Sequence, residues 1–185
     1  MKKYLFSLTI IAFCFKLNTA KAQFSVATKK ENTWHLEVGA NGLYDLNPGK
    51  KYYTAGFGAQ LAGIYYPNEF VGITLTTGYF DLPGKKRTVN RTEIKQPNFQ
   101  FVPLKLGVRG FFVPKWYLAG EFGLGYATPD IGNNTHFAKT IAPGLGYEDL
   151  DSGLDVSLRY ENMHHQGNYV SMIALQVAYS INLSK

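Results

Sequence analysis

The sequence predicts an all-β chain, an eight-stranded antiparallel up-and-down transmembrane β-barrel, and three observations lead there. Apolar residues recur at every second position through eight successive runs, the period of a strand with two unlike faces. The face opposite them is rich in Gly, Ala, Ser and Thr with a few charges of both signs, which suits a narrow interior better than a solvated exterior. The connections alternate between short and long, as they do when both chain ends and the short turns share one side of a barrel.

The first run sets Trp34, Leu36, Val38 and Ala40 against His35, Glu37, Gly39 and Asn41. The second sets Phe57, Ala59, Leu61, Gly63 and Tyr65 against Gly56, Gly58, Gln60 and Ala62, and the third Val71, Ile73, Leu75, Thr77 and Tyr79 against Gly72, Thr74, Thr76 and Gly78. In the fourth, Val102, Leu104, Leu106, Val108 and Phe112 oppose Pro103, Lys105, Gly107 and Arg109. The fifth places Trp116, Leu118, Phe122, Leu124 and Tyr126 opposite Ala119, Glu121, Gly123 and Gly125. The sixth is weaker: Ile141, Pro143, Leu145 and Tyr147 oppose Ala142, Gly144, Gly146 and Glu148, and Pro143, which cannot donate to a ladder, predicts a bulge or local irregularity. The seventh sets Leu154, Val156, Leu158 and Tyr160 against Asp155, Ser157, Arg159 and Glu161; the eighth sets Ile173, Leu175, Val177, Tyr179 and Ile181 against Met172, Ala174, Gln176, Ala178 and Ser180. No run has helical period.

Composition and charge exclude other classes. The 185 residues are 45% hydrophobic, 15% aromatic and 17% charged, with a mean hydropathy of −0.15. A polytopic helical membrane protein, a disulfide-stapled mini-domain and a disordered chain are thereby ruled out. The net charge of +6 is largely confined to the start, where Lys2, Lys3, Lys16 and Lys21 stand among 22 residues without an acid. The remainder carries 15 basic against 13 acidic residues, so no nucleic-acid partner is expected. Lys2-Lys3, the apolar stretch Tyr4 to Phe15 and the small-x-small Ala20-Lys21-Ala22 have the layout of a secretory signal. The expected organisation is a signal peptide over 1–22 cleaved before Gln23, a polar lead-in over 23–33 and a barrel over 34–185. Lys16 stops the apolar run short of the roughly 20 residues a helix needs to span. Phe13 beside the lone Cys14 disfavours lipid attachment, so the exported chain is expected to carry no thiol.

Closing eight strands removes every unpaired edge, but alternation alone does not say which face is outside. A soluble lipocalin-like barrel carrying an apolar ligand would put the apolar face inward; a membrane barrel puts it toward lipid. The small-residue face and the loops favour the membrane barrel. The connections read 45–52, 67–69, 81–97, 113–115, 128–139, 149–153 and 163–168, and runs of about nine to fourteen residues suffice to cross a bilayer. Trp34 and Trp116 begin strands at the short-turn end, whereas Tyr52, Tyr53, Tyr79, Phe80, Phe99, Tyr126 and Tyr169 gather toward the loops, as two aromatic girdles would. Glu37, Glu121, Asp155 and Glu161 share the inner face with Lys105, Arg109 and Arg159, which predicts a lumen network of nearly cancelling charge.

The run from Asn98 to Phe112, with its aromatic lead, Pro103 and Leu-rich alternation, followed by the Gly-rich aromatic strand Trp116 to Tyr126, resembles the outer-membrane β-barrel family of small Gram-negative proteins. Leu154 to Tyr160 and Ser171 to Ile181 are similar to its late strands. The resemblance implies lipid and lipopolysaccharide surroundings, and insertion by the barrel-assembly machinery through a terminal strand. Here Gln176, Ala178, Ile181 and Leu183 match the spacing of that signal, with Leu183 in place of its aromatic. It also implies a structural, adhesive or surface-interaction role in a monomer, or for some members an accessory role in secretion.

Sites are few. The loop over 81–97 holds Lys85, Lys86, Arg87, Arg91 and Lys95 against Asp81 and Glu93, so it could bridge lipopolysaccharide phosphates or an acidic surface partner. His164-His165, read as a loop pair, points to opposite sides and makes a poor metal chelate. Some barrels of this size deacylate lipid A with a His-x-Ser pair. Here His164 and His165 lack that serine, and Ser171 would have to loop back, so neither catalysis nor a cofactor is expected.

Overall fold

The computed structural model describes residues 31–46, 53, 55–89, 92–95, 97–128, 136–165 and 168–184; the proposed signal peptide and most of the lead-in lie outside these residues. Ten strands follow in order: β1 (Thr33–Asp45), β2 (Gly56–Asn68), β3 (Val71–Leu82), β4 (Lys86–Val89), β5 (Thr92–Lys95), β6 (Phe99–Val113), β7 (Trp116–Thr128), β8 (Phe137–Asp149), β9 (Leu154–His165) and β10 (Asn168–Asn182). Eight of them close a barrel in the order β1-β2-β3-β6-β7-β8-β9-β10, with β10 returning to β1, and β4 and β5 form a separate two-stranded sheet. Every barrel pairing is antiparallel. No helix among the described residues is long and apolar enough to cross a membrane, a test that strands do not enter.

The seam between first and last strands runs from His35↔Asn182 to Asp45↔Met172. It is extended at the short-turn end, where the Leu183 amide donates to the Trp34 carbonyl at 2.8 Å and the Trp34 amide to Ser184 Oγ at 2.7 Å. Turns at that end are tight. The Asn68 side chain accepts from the amides of Phe70 and Val71, a local turn that this residue type favours. Lys115 and Gly153 take positive φ, 67° and 75°, at the β6–β7 and β8–β9 turns. Register shifts fall beside two of these turns, between Tyr65 and Asn68 and between Phe111 and Val113.

Of the three prolines within described strands, Pro67 lies in the register shift between Tyr65 and Asn68, whereas Pro103 and Pro143 leave their mark without shifting the register. Pro143 pairs with Gly120 of β7, but the β8–β9 ladder lapses from Ile141↔Asn162 to Gly144↔Arg159 and resumes in the same register. The missing N–H is on the β9 side. Pro103 likewise pairs with Gly125 of β7 while its ladder to β3 lapses, and its carbonyl accepts from Thr77 Oγ1 at 2.9 Å instead.

Three features differ from the sequence reading. The basic segment over 81–97 contains the hairpin β4–β5, with Lys86↔Lys95 and Val89↔Thr92 in register. The last long loop contracts to residues 166–167, because β9 runs on to His165. Tyr53, Phe80 and Phe99 are not girdle residues: they are buried with Leu43, Leu82, Phe101, Met163 and Met172 in an apolar cluster at the loop end. Parity explains this, since Phe80 follows outward Tyr79 and Phe99 shares the inward phase of Lys105. Tyr52 lies outside the described residues.

Bulky inward rings fit because glycines face them. A Cβ on Gly146 would fall on the Tyr117 ring, and one on Gly125 on the Phe101 ring. Gly146→Ala is therefore expected to cost about 1–3 kcal/mol of stability in a urea titration of the refolded barrel. Gly120→Ala, where a Cβ meets nothing within 4 Å, should stay within about 0.5 kcal/mol of the parent. Equal midpoints for the two variants would contradict this packing.

Candidate functional site

The even number of strands and their parity divide the chain between two surfaces. Outside, Val38, Leu61, Leu75, Leu104, Leu106, Phe122, Ile141, Leu158 and Leu175 are all exposed. Aromatic side chains mark both margins of this apolar band. At the short-turn end Trp34 packs on Tyr65 at 4.7 Å between ring centres and Trp116 on Tyr147 at 5.4 Å. At the loop end Tyr79, Tyr126, Phe137 and Tyr169 are exposed, with Tyr126 and Phe137 in edge contact.

Inside, the seven charged residues named from sequence converge. Lys105 Nζ reaches Glu161 at 2.8 Å and Glu121 at 2.8 Å, and is fully buried. Arg159 lies 3.5 Å from Glu121 and 3.8 Å from Glu161, and also donates to Asn41 Oδ1 at 2.9 Å and to Gln60 Oε1. Thr76 donates to the free side of Glu121 at 2.7 Å. These residues form one group in the middle of the barrel.

The second group lies closer to the short turns and is built on Arg109. Its guanidinium reaches Glu37 at 2.8 Å, Asp155 at 2.9 Å and Glu148 at 3.5 Å, and sits 4.7 Å over the Tyr117 ring. Glu148 was on the correct face of the sixth run but was not assigned to the network in the sequence reading. Its place one residue before the β8–β9 turn concealed it. Three carboxylates around one guanidinium need further donors, and hydroxyls and an amide supply them. Tyr66 donates to Glu148 at 2.6 Å, Tyr117 to both oxygens of Asp155, and Gln176 to Glu37 at 3.1 Å, with Ser157 donating to Gln176 in turn. Sequence parity placed Gln60, Asn41 and Gln176 on this face. It could not single them out from the other polar residues there.

Apolar groups close the network at both ends. Above it is the cluster of Leu43, Phe80, Leu82, Phe99, Phe101, Met163 and Met172; below it Ile64, Tyr66, Phe111 and Tyr117 pack together. Between the two ionic groups a cavity of about 10 Å³, lined by Arg109, Tyr117, Glu121, Arg159 and Gln176 among others, has room for no more than about one water.

The surface candidates are placed less closely. Lys85 is half-buried and Lys86 exposed before and at the start of β4; Arg87 and Lys95 are on the hairpin strands, and Arg91 lies outside the described residues. His164 is exposed near the end of β9 rather than in a loop.

No protein-family model matches the chain, and no characterised sequence does. Its structure is similar to that of Ail, the attachment invasion locus protein of Yersinia pestis, with a TM-score of 0.57 at 15% identity over 82% of this chain and 99% of that one. The N-terminal β-barrel domain of Pseudomonas aeruginosa OprF gives 0.54 at 14% identity, over 83% and 100%. Neisserial surface protein A gives 0.52 at 14%, over 80% and 96%. At such identities the likeness is one of fold.

Glu121 is one of the two carboxylates that Lys105 and Arg159 share. Glu121→Ala leaves both cations with Glu161 alone in a confined interior and is expected to cost about 3 kcal/mol. Urea unfolding of the refolded protein measures it; an unchanged midpoint would show that the ions do not depend on one another.

Proposed function

We propose that this chain, which has the fold of the small eight-stranded outer-membrane barrels, is a monomeric integral protein of the outer membrane that acts at the cell surface, without catalysis and without conducting. One observation carries the reading: an apolar exterior between two aromatic margins encloses an interior that holds most of the charge of the barrel strands. This is the arrangement lipid demands and the inverse of a soluble lipocalin-like barrel. The closed lumen favours a structural or interactional role over transport. Both ends are stopped by apolar clusters, and the ions between them are fixed in pairs rather than lining an open path.

The surface element best suited to contact is the β4–β5 hairpin with its flanks, where Lys85, Lys86, Arg87, Arg91 and Lys95 outnumber Asp81 and Glu93. Clustered Lys and Arg gain charge-assisted contacts with phosphate or sulfate. Ail has been crystallised in complex with the heparin analogue sucrose octasulfate. An anionic surface partner, lipopolysaccharide phosphate included, is accordingly the proposed contact of the hairpin.

Cells expressing the full chain provide the test. A band that stays with carbonate-washed outer membranes and changes mobility on boiling is expected, as is the absence of unit conductance when the purified barrel is added to planar bilayers. A soluble protein with no mobility change would overturn the membrane assignment; discrete conductance steps would overturn the closed lumen. For the hairpin, replacing its five basic residues by Gln should abolish retention on a heparin support. Undiminished retention would place the contact elsewhere.

A further inference from the structure

The outer face of the barrel carries a basic polar patch near the loop end. On β8, β9 and β10, near the loop end, Lys139, Asn162, His164, Tyr169 and Ser171 all point outward, in the alternation of Ile141, Leu158 and Ile173. His164 stands directly across from Lys139 on one side and from Tyr169 on the other; Asn162 stands across from Ile141 and Ser171. Directly opposed side chains in such ladders have Cβ atoms about 5 Å apart, so Lys139 and His164 can reach one small ligand together.

The hydrogen bonds of the patch are organised around Ser171. Asn162 Nδ2 donates to Ser171 Oγ at 2.8 Å and to the Tyr160 hydroxyl at 3.3 Å, and Tyr160 donates to Ser171 at 3.0 Å. Ser171 is thus bonded to Tyr160 and Asn162, and these bonds leave it bound within a polar platform rather than poised beside His164. Among the described residues Lys139 has no ion-pair partner, and no carboxylate faces outward with it at these strand ends. It is set one rung inward of Phe137, which marks the aromatic margin with Tyr126. A cation on the membrane side of such a margin is costly unless it reaches the interface and meets an anion there.

We propose that this patch is a binding site for the phosphate of a lipid headgroup in the leaflet that meets the loop end, with Lys139 and His164 contacting the phosphate and Asn162 and Tyr169 its glycerol or sugar oxygens. The inference rests on the reading that the outer face lies in a bilayer. Charge complementarity decides the occupant: two basic side chains with amide and phenol donors, and no acid among the described residues beside them, suit an anionic headgroup at interface depth. The site is distinct from the β4–β5 hairpin, which belongs to the β3–β6 connection on another part of the barrel rim.

Native mass spectrometry of the full chain, purified from outer membranes in detergent and offered equimolar dioleoyl-phosphatidic acid and dioleoyl-phosphatidylcholine, tests this. The parent should retain the phosphatidic acid about tenfold more than the phosphatidylcholine, and Lys139→Gln with His164→Gln should bring the two close to equal. Lys115→Gln, which removes a surface cation at the short-turn end, serves as the control and should leave the preference intact. Heat-shifted mobility of each sample shows that the barrel is folded, so loss of preference in a folded variant is separable from failure of the membrane reading. Equal retention by the parent, an unchanged preference in the double variant, or a protein dimer that the double variant dissociates in place of a lipid adduct would each overturn the assignment.

Discussion

A charge inside an eight-stranded barrel is out of reach of bulk water, because the interior is only wide enough for side chains. Each ion enclosed there must find its partners within the wall, and the lumen of this protein is arranged by that requirement. Lys105 is held between Glu121 and Glu161, and Arg109 among Glu37, Asp155 and Glu148. Carboxylates outnumber cations in this set, and the deficit of donors is met by Tyr66, Tyr117, Thr76 and Gln176. The partners come from all eight strands of the wall, so the network ties β1, β2, β3, β6, β7, β8, β9 and β10 across the lumen as well as around it. A network satisfied in this way gives the closed barrel a defined interior, whereas a half-satisfied one would weaken it.

The same parity that turns the ions inward turns Leu, Val, Ile and the margin aromatics outward. An exterior of that kind is stable only against lipid or another apolar phase. Lumen and exterior are therefore one constraint seen from two sides: a shift of one residue in register would put Lys105 or Arg109 into the apolar band. Prolines at 103 and 143 are tolerated because each loses bonding on one side only and keeps its register on the other.

Most of this was legible in the sequence because a two-residue period is a strong signal when eight runs repeat it. The faces of Glu37, Lys105, Arg109, Glu121, Asp155, Arg159 and Glu161 follow directly from it. What was not legible depends on strand ends, where periodicity stops. Phe80 and Phe99 were read as girdle because aromatics near a loop look alike whichever way they point, and only the continued alternation past Tyr79 and before Lys105 turns them inward. His164 was read as loop because β9 continues through polar residues that carry no apolar beat. The β4–β5 hairpin has two four-residue strands, too short for a period to show. The polar patch on β8 to β10 was missed for the same reason as His164: its residues break the apolar alternation on the outer face and so resemble the end of a strand.

The parity of β6 is the most direct test of the whole arrangement. From Gln23 onward the chain has no cysteine, so single cysteines can be placed in turn from Val102 to Arg109, spin-labelled, and measured in bilayers by electron paramagnetic resonance. Collision with dissolved oxygen, which concentrates in lipid, should be frequent at 102, 104, 106 and 108 and suppressed at 103, 105, 107 and 109. The opposite phase, or no alternation at all, would contradict an ion-filled lumen enclosed by a lipid-facing wall.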